Sequence, residues 1–260
     1  MSLSDVTIIV PTFHRRGYLQ DCLEGVSERL PECCVAVASD DGLGIHYGGA
    51  RGTWKELPYD SGLTAKRNAA VKMVRTKYAL MGSDDFDFST WEPREAIIDM
   101  AMVLDGCPNV DVVVGQVNGR DYQGFLEYVP GEYIKERRLD MYKRAPLAIS
   151  PFPIWKIDIG VNFFLARTEV LREVPWDETI RPIGGEHADW FLDLKAAGKI
   201  VAFLPLANVN EMPHDLSKQH PDYLRFRRRC WEGHALMMKK RNIKAYYGFD
   251  EEVNHAAHRR

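Results

Sequence analysis

Short apolar runs at Val6 to Val10, Cys34 to Ala38, Tyr78 to Met81 and Val110 to Val114 alternate with helical patterns, and this alternation constrains the fold more than any other feature. Each run is bounded by turn-forming residues, as buried strands are. Between the first two, Leu19, Leu23, Val26 and Leu30 step by four, three and four and share one helical face. Leu63 to Arg75 repeats the signal through Ala65, Ala69 and Met73, with Lys66, Arg67, Lys72 and Arg75 on its other faces. Glu95 to Leu104 predicts a third helix, stopped at Asp105-Gly106-Cys107-Pro108. Strands and helices alternating from the start predict an α/β fold built on a largely parallel central sheet flanked by helices.

The pattern breaks between about Gly119 and Lys156, where a mixed aromatic and charged stretch ends in APLAISPFPIW, whose prolines oppose regular structure. Such a stretch is either an excursion that covers a site or a surface insertion. Afterwards VNFFLA (Val161 to Ala166), a turn or helix over Glu169 to Val174, a helix over Glu186 to Ala197 and the strand Ile200 to Leu204 restore the order. A chain of 260 residues, 45% hydrophobic and 27% charged, then reads as one globular domain, which excludes disorder and coiled coil.

Formal charge of −3 excludes a polycation overall, so nucleic-acid binding needs a local patch. One exists: Arg225, Arg227, Arg228, Arg229, Lys239, Lys240, Arg241 and Lys244 crowd the C-terminal stretch. No run approaches the roughly 20 apolar residues of a membrane helix, and MSLSDVTIIVPTF lacks a basic region ahead of a signal core. The expectation is a cytoplasmic chain. Five cysteines without repeated spacing predict free thiols, and no Cys or His pair has zinc-ligand spacing.

In open α/β sheets ligands bind beyond the carboxyl ends of the strands. Those positions hold Pro11-Thr12-Phe13-His14-Arg15-Arg16, Ser39-Asp40-Asp41-Gly42 and Gly82-Ser83-Asp84-Asp85-Phe86-Asp87. Carboxylates converging on one rim repel each other unless a cation lies between them, and Mg²⁺ or Mn²⁺ is the natural oxygen-ligated choice. A divalent ion held by one or two carboxylates takes its other ligands from phosphate and water, which points to a nucleotide diphosphate.

These motifs resemble those of GT-A-fold inverting glycosyltransferases of the large family 2 type. The resemblance rests on VTIIVPTFHRR, VAVASDDG and LTAKRNAAVKMVRTKYALMGSDDFDF. With the later VNFFLARTEVLREVPWDETI and GEHADWFLDLKAAGKIVAFLP, the chain is most similar to the ganglioside-type N-acetylgalactosaminyltransferases. The resemblance implies a GT-A domain over 1–215, with a nucleotide-sugar half at 1–115 and an acceptor half at 116–215, and a basic helical extension of the same domain over 216–260. It implies a metal-dependent hexosyltransferase (EC 2.4 class) that moves a hexose or N-acetylhexosamine, with inversion, from a UDP-sugar to an acceptor hydroxyl.

Residue by residue, the resemblance gives Asp40 to the uracil ring, Pro11 and Thr12 to base and ribose, and Arg67 to the diphosphate or base. Arg15 joins this nucleotide-sugar set, its Arg15-Arg16 pair either touching phosphate or solvated. Asp84 and Asp85 match the acidic pair of the DXD metal motif, the first on ribose and the second on the metal. Ser83 stands where the family more often has Asp, and Asp85-Phe86-Asp87 offers a competing register through Asp87. His214 matches a histidine that completes the metal site in many members of the fold. In an inverting transfer a carboxylate must deprotonate the acceptor. Asp189 matches that base, and Glu186 is the alternative.

The acceptor is a glycan, or, since the chain also resembles phage transferases, a hydroxymethylated pyrimidine of DNA held by the basic segment 225–244. The expected setting is then bacterial, or viral in a host cytoplasm. Trp155, Trp176 and Trp190 either stack on sugar or fill the core. A nucleotidyltransferase would carry a Gly-rich phosphate loop with a lysine after strand one, which PTFHRR does not provide; a noncatalytic sugar-binding module is the remaining alternative.

Overall fold

The computed structural model describes residues 2–42, 51–120, 122–149 and 151–249, and the backbone of 255–256. In chain order these form β1 (Val6–Thr12), α1 (Arg16–Arg29), β2 (Cys34–Ser39), β3 (Gly52–Glu56), α2 (Leu63–Met73), β4 (Tyr78–Met81), β5 (Phe86–Asp87), α3 (Glu92–Gly106) and β6 (Val112–Val117). Then follow β7 (Gly124–Val129), β8 (Tyr133–Arg138), β9 (Trp155–Ile157), β10 (Phe164–Arg167), α4 (Thr168–Glu173), α5 (Glu186–Ala196) and β11 (Val201–Glu211). The chain ends in α6 (Tyr223–Arg227), α7 (Cys230–Arg241), β12 (Ala245–Tyr247) and β13 (His255–Ala256).

The main sheet runs β3-β2-β1-β4-β10-β6-β11-β5, with β9 on β11. Pairs β3/β2, β2/β1, β1/β4 and β6/β11 are parallel, whereas β10 lies antiparallel to both β4 and β6. Every residue of β1 is buried, because a central parallel strand is covered on both faces. On one face α1 buries Leu19, Cys22 and Val26. The apolar runs read as strands are therefore strands.

Two features depart from the sequence reading. Residues 119–156 are not merely irregular: β7 and β8 form an antiparallel hairpin from Gly124 opposite Arg138 to Val129 opposite Tyr133. Its polar, half-exposed face blurred the alternation. β12 adds to β8 in parallel, so the C-terminal segment is built into a second sheet of order β13-β12-β8-β7.

The second departure is α2. The sequence pattern placed Ala65, Ala69 and Met73 inward, yet Thr64, Lys66, Arg67, Asn68, Ala70 and Val71 are the buried residues. A helix whose buried face is polar lines something other than a core.

None of the five cysteines, all among the described residues, forms a disulfide. No helix among the described residues is long and apolar enough to cross a membrane.

Candidate active site

The carboxyl ends of β1, β2 and β4 open into a cavity of about 730 Å³. Parallel register brings them level: Thr12 pairs with Ser39, Ile9 with Met81, and Gly82 N–H donates to Ile9 O at 2.9 Å. Pro11, Thr12, Arg15, Asp40, Asp84 and Asp85 therefore meet on one wall. The N-termini of α2 and α5 line the same cavity, with Arg67 and Glu186.

Asp40 is buried at the end of β2, accepting Lys66 Nζ at 2.5 Å and Gly62 N–H at 2.8 Å. Burial raises its pKa and Lys66 opposes that rise. Gly62 reaches Asp40 with φ +97°, and an added Cβ there would lie 2.4 Å from Arg181 O, so only glycine fits. Lys66, which the sequence pattern sets only off the apolar face of the helix, is the buried counter-ion of the expected base-binding carboxylate.

Asp84 accepts Thr12 Oγ1 at 2.8 Å, and Arg15 bridges the acidic pair, Nη1 at 2.8 Å from Asp84 Oδ1 and Nη2 at 2.7 Å from Asp85 Oδ2. Ser83 Oγ donates to Asp85 Oδ1. Burial pushes Asp84 up to about 6, despite the pull of Arg15. Burial works against the charge on Arg15, but the two carboxylates more than offset it and hold the guanidinium protonated above its ordinary range.

The pair is an all-oxygen donor set that already attracts a cation between its members, so it fits a hard divalent ion. Among the described residues no third Asp, Glu, His or Cys closes with them around one point. An ion held there would draw its further ligands from diphosphate and water.

Two expected ligands lie elsewhere. Asp87 is absent from the cavity wall and its Oδ1 accepts Ser89 N–H and Oγ. His214 is exposed in the loop after β11, also off the wall. The carboxylate that does line the cavity from this side is Glu211, the last residue of β11, which the sequence reading missed.

Where α2 and α5 line the cavity Arg67 is buried, with Nη2 3.0 Å from Asn162 Oδ1 and Nη1 3.6 Å from Glu186 Oε1. Its Nε and Nη1 have no hydrogen-bond partner among the described residues, and burial depresses its pKa. A desolvated guanidinium with unmet donors on a cavity wall is an anion receptor.

The geometry places the two candidates for the base differently. Asp189 sits one turn inside α5, off the cavity wall. Its carboxylate accepts Arg241 Nε at 2.6 Å and Lys240 Nζ at 2.8 Å, so it anchors α7 onto α5. Glu186 is the carboxylate that faces the cavity, fixed by Gly184 N–H at 2.6 Å. Gly184 and Gly185 turn the chain into α5 with positive φ, where an added Cβ would strike Cys230 O or Gly233 O.

Trp176 and Trp190 are core residues, stacked on each other with centroids 4.5 Å apart, and neither they nor Trp155 line the cavity. The aromatic wall instead comes from Phe13, Tyr122, Tyr223, Phe226 and Tyr246. Three of these belong to the C-terminal segment. In the basic run Arg229 pairs with Asp60 and Glu232, while Lys240 and Arg241 pair with Asp189 and Asp193. Three of the eight cations in the run thus serve folding, and neither the fold nor the relatives add support for DNA contact.

No protein-family model matches the chain. It is 32% identical over 192 residues to beta-1,4 N-acetylgalactosaminyltransferase 2 of Mus musculus, covering 72% of this chain and 36% of the relative. It is 31% identical over 194 residues to beta-1,4 N-acetylgalactosaminyltransferase 1 of Homo sapiens, covering 72% of this chain and 35% of the relative. The chain spans about a third of the length of these curated relatives.

Among solved structures, GalNAc-T7 with UDP, GalNAc and Mn²⁺ matches with TM-score 0.61 at 13% identity, over 87% of this chain and 47% of that one. S. aureus TarS 1-349 in complex with UDP-GlcNAc matches with TM-score 0.56 at 16% identity, over 90% of this chain and 66% of that one. The fold is that of the GT-A glycosyltransferases. Within that class its sequence relatives are the beta-1,4 N-acetylgalactosaminyltransferases.

Proposed function

We propose that the chain transfers a hexose or N-acetylhexosamine from a UDP-sugar to an acceptor hydroxyl, with inversion and with the help of Mn²⁺ or Mg²⁺. The observation that carries this reading is one cavity with an acidic pair on one wall and a buried arginine beside a carboxylate on another. The first wall suits a nucleotide diphosphate and the second a sugar transfer.

Asp40 would accept the uracil imide N–H, with Pro11 and Thr12 along base and ribose. Lys66 keeps Asp40 ionised in a buried place. Arg67, with unmet donors, would take phosphate oxygens of the leaving group. Asp84 and Asp85 would hold the divalent ion, which when bound supplies positive charge for the departing diphosphate. Glu186, at the N-terminus of α5, would take the proton of the acceptor hydroxyl as it attacks the anomeric carbon. The names of the relatives favour an N-acetylhexosamine donor, and UDP-GlcNAc is bound by the TarS fragment.

Calorimetric titration with UDP, GDP and CDP, each with and without Mn²⁺, tests the donor half. UDP binding that needs Mn²⁺ and is lost in Asp85→Ala is the expected result, with UDP release from UDP-N-acetylhexosamine when acceptor glycans are supplied. Absence of nucleotide binding would overturn the reading in favour of a noncatalytic module, and pyrophosphate release would favour a nucleotidyltransferase.

A further inference from the structure

Arg15 stands between the two carboxylates assigned above to the metal, and it is firmly built in. Its guanidinium carbon lies 4.6 Å from the centre of the Tyr18 ring and 5.1 Å from that of Tyr223. Tyr18 is itself fixed, donating to Pro213 O at 3.1 Å and accepting Asp215 N–H at 2.5 Å. Thr12 and Ser83 occupy the other two carboxylate oxygens. All four oxygens of the acidic pair thus have partners, and one positive charge already sits where a divalent ion would be drawn.

We propose that Arg15 is a resident counter-cation that competes with the divalent ion for Asp84 and Asp85, and that the incoming nucleotide diphosphate resolves the competition by accepting the displaced guanidinium. This rests on the metal reading given under Proposed function. Two cations at one acidic pair repel each other, so the ion alone binds weakly. The planar fork of arginine matches phosphate as well as carboxylate, so a diphosphate offers Arg15 an equivalent partner. Ion and diphosphate therefore bind as a coupled pair, and by linkage each strengthens the other equally.

The coupling is measured by counting free Mn²⁺ through its electron paramagnetic resonance signal, in titrations of wild type, R15A and R15K with and without UDP. Wild type should bind Mn²⁺ about tenfold or more tighter with UDP than without it, within the usual range of such couplings. R15A should bind Mn²⁺ alone about tenfold tighter than wild type, and the extra gain from UDP should largely vanish. R15K keeps a charge but cannot fork both carboxylates, so it should fall between the two, and it carries the test if R15A does not fold by circular dichroism. Mn²⁺ affinity without UDP that is unchanged or weaker in the folded variants overturns this inference and leaves the metal reading intact. Mn²⁺ binding by no variant, even with UDP, overturns the metal reading and this inference with it.

Discussion

Lys66 Nζ lies 2.5 Å from Asp40 Oδ1, and both side chains are almost wholly buried. An ion pair in such a place is costly to break, because removing one partner strands the other charge away from water. Lys66→Met should therefore destabilise the fold by about 3 kcal/mol or more, unless Asp40 takes up a proton instead. Urea unfolding of Lys66→Met and of the double variant Lys66→Met/Asp40→Asn separates these effects: the double variant should recover most of the lost stability. Equal stability of wild type and Lys66→Met would show that the pair contributes nothing.

Asn68 joins α2 to the segment before α5 without touching the cavity. Its Nδ2 donates to Trp176 O at 2.8 Å and Glu178 Oε1 at 2.9 Å, and its Oδ1 accepts Trp176 N–H at 3.0 Å. Asn68→Ala should cost about 2–4 kcal/mol through the unsatisfied backbone groups of Trp176. Nucleotide affinity, measured by calorimetry below the unfolding transition, should stay within about twofold of wild type, because the Asn68 amide bonds Trp176 and Glu178 and is not part of the cavity wall.

How far the sequence could be read depended on what each segment packs against. β1 was legible because VTIIV is buried on both faces and has no polar task. Asp40, Arg67, Asp84 and Asp85 were legible as cavity residues because they follow strands or open a helix at the sheet's carboxyl edge. Lys66 was not, since hydrophobic periodicity assigns a lysine outward and cannot see that the helix faces a charged cavity. Nor were Tyr223 and Phe226: their cavity role exists only once the chain folds back from a distant segment. The pairing of Asp189 was not legible, because its partners Lys240 and Arg241 lie about fifty residues away and read locally as a basic surface run.

His187 should give the fold an acid-sensitive component. Burial, reinforced by the positive charge of Arg67, pushes it down to about 4, and its ring bonds Gly160 O. The unfolded chain takes up this proton near pH 6.5, and the folded chain only near 4. The resulting stability is complete above about pH 6.5 and is lost as pH falls toward 4. Between those limits wild type should lose up to about 3 kcal/mol from this group. Urea midpoints of wild type and His187→Gln across pH 4.5 to 7 check it: the variant's curve should be flatter, and parallel curves would show that His187 does not contribute.

Glu186 and Asp189 occupy successive turns of one helix, yet the structure gives them different work. Glu186 faces the cavity, whereas Asp189 faces away and holds Arg241 and Lys240 at 2.6 and 2.8 Å. Glu186→Gln keeps the shape and the hydrogen bond from Gly184 but removes the base, so transfer should fall by about 10²-fold or more while UDP affinity changes little. Asp189→Asn should instead weaken the docking of α7 and lower stability by about 3–5 kcal/mol, the cost of leaving partly buried cations without their partner. Since α7 carries Cys230 and His234 into the cavity wall and follows directly on α6, which carries Tyr223 and Phe226, nucleotide affinity should then fall together with stability. Measuring stability, UDP affinity and transfer rate on both variants decides the assignment. If Asp189→Asn lost transfer at full stability while Glu186→Gln kept it, the base would be Asp189 and the cavity would have to open toward the α5–α7 contact during catalysis.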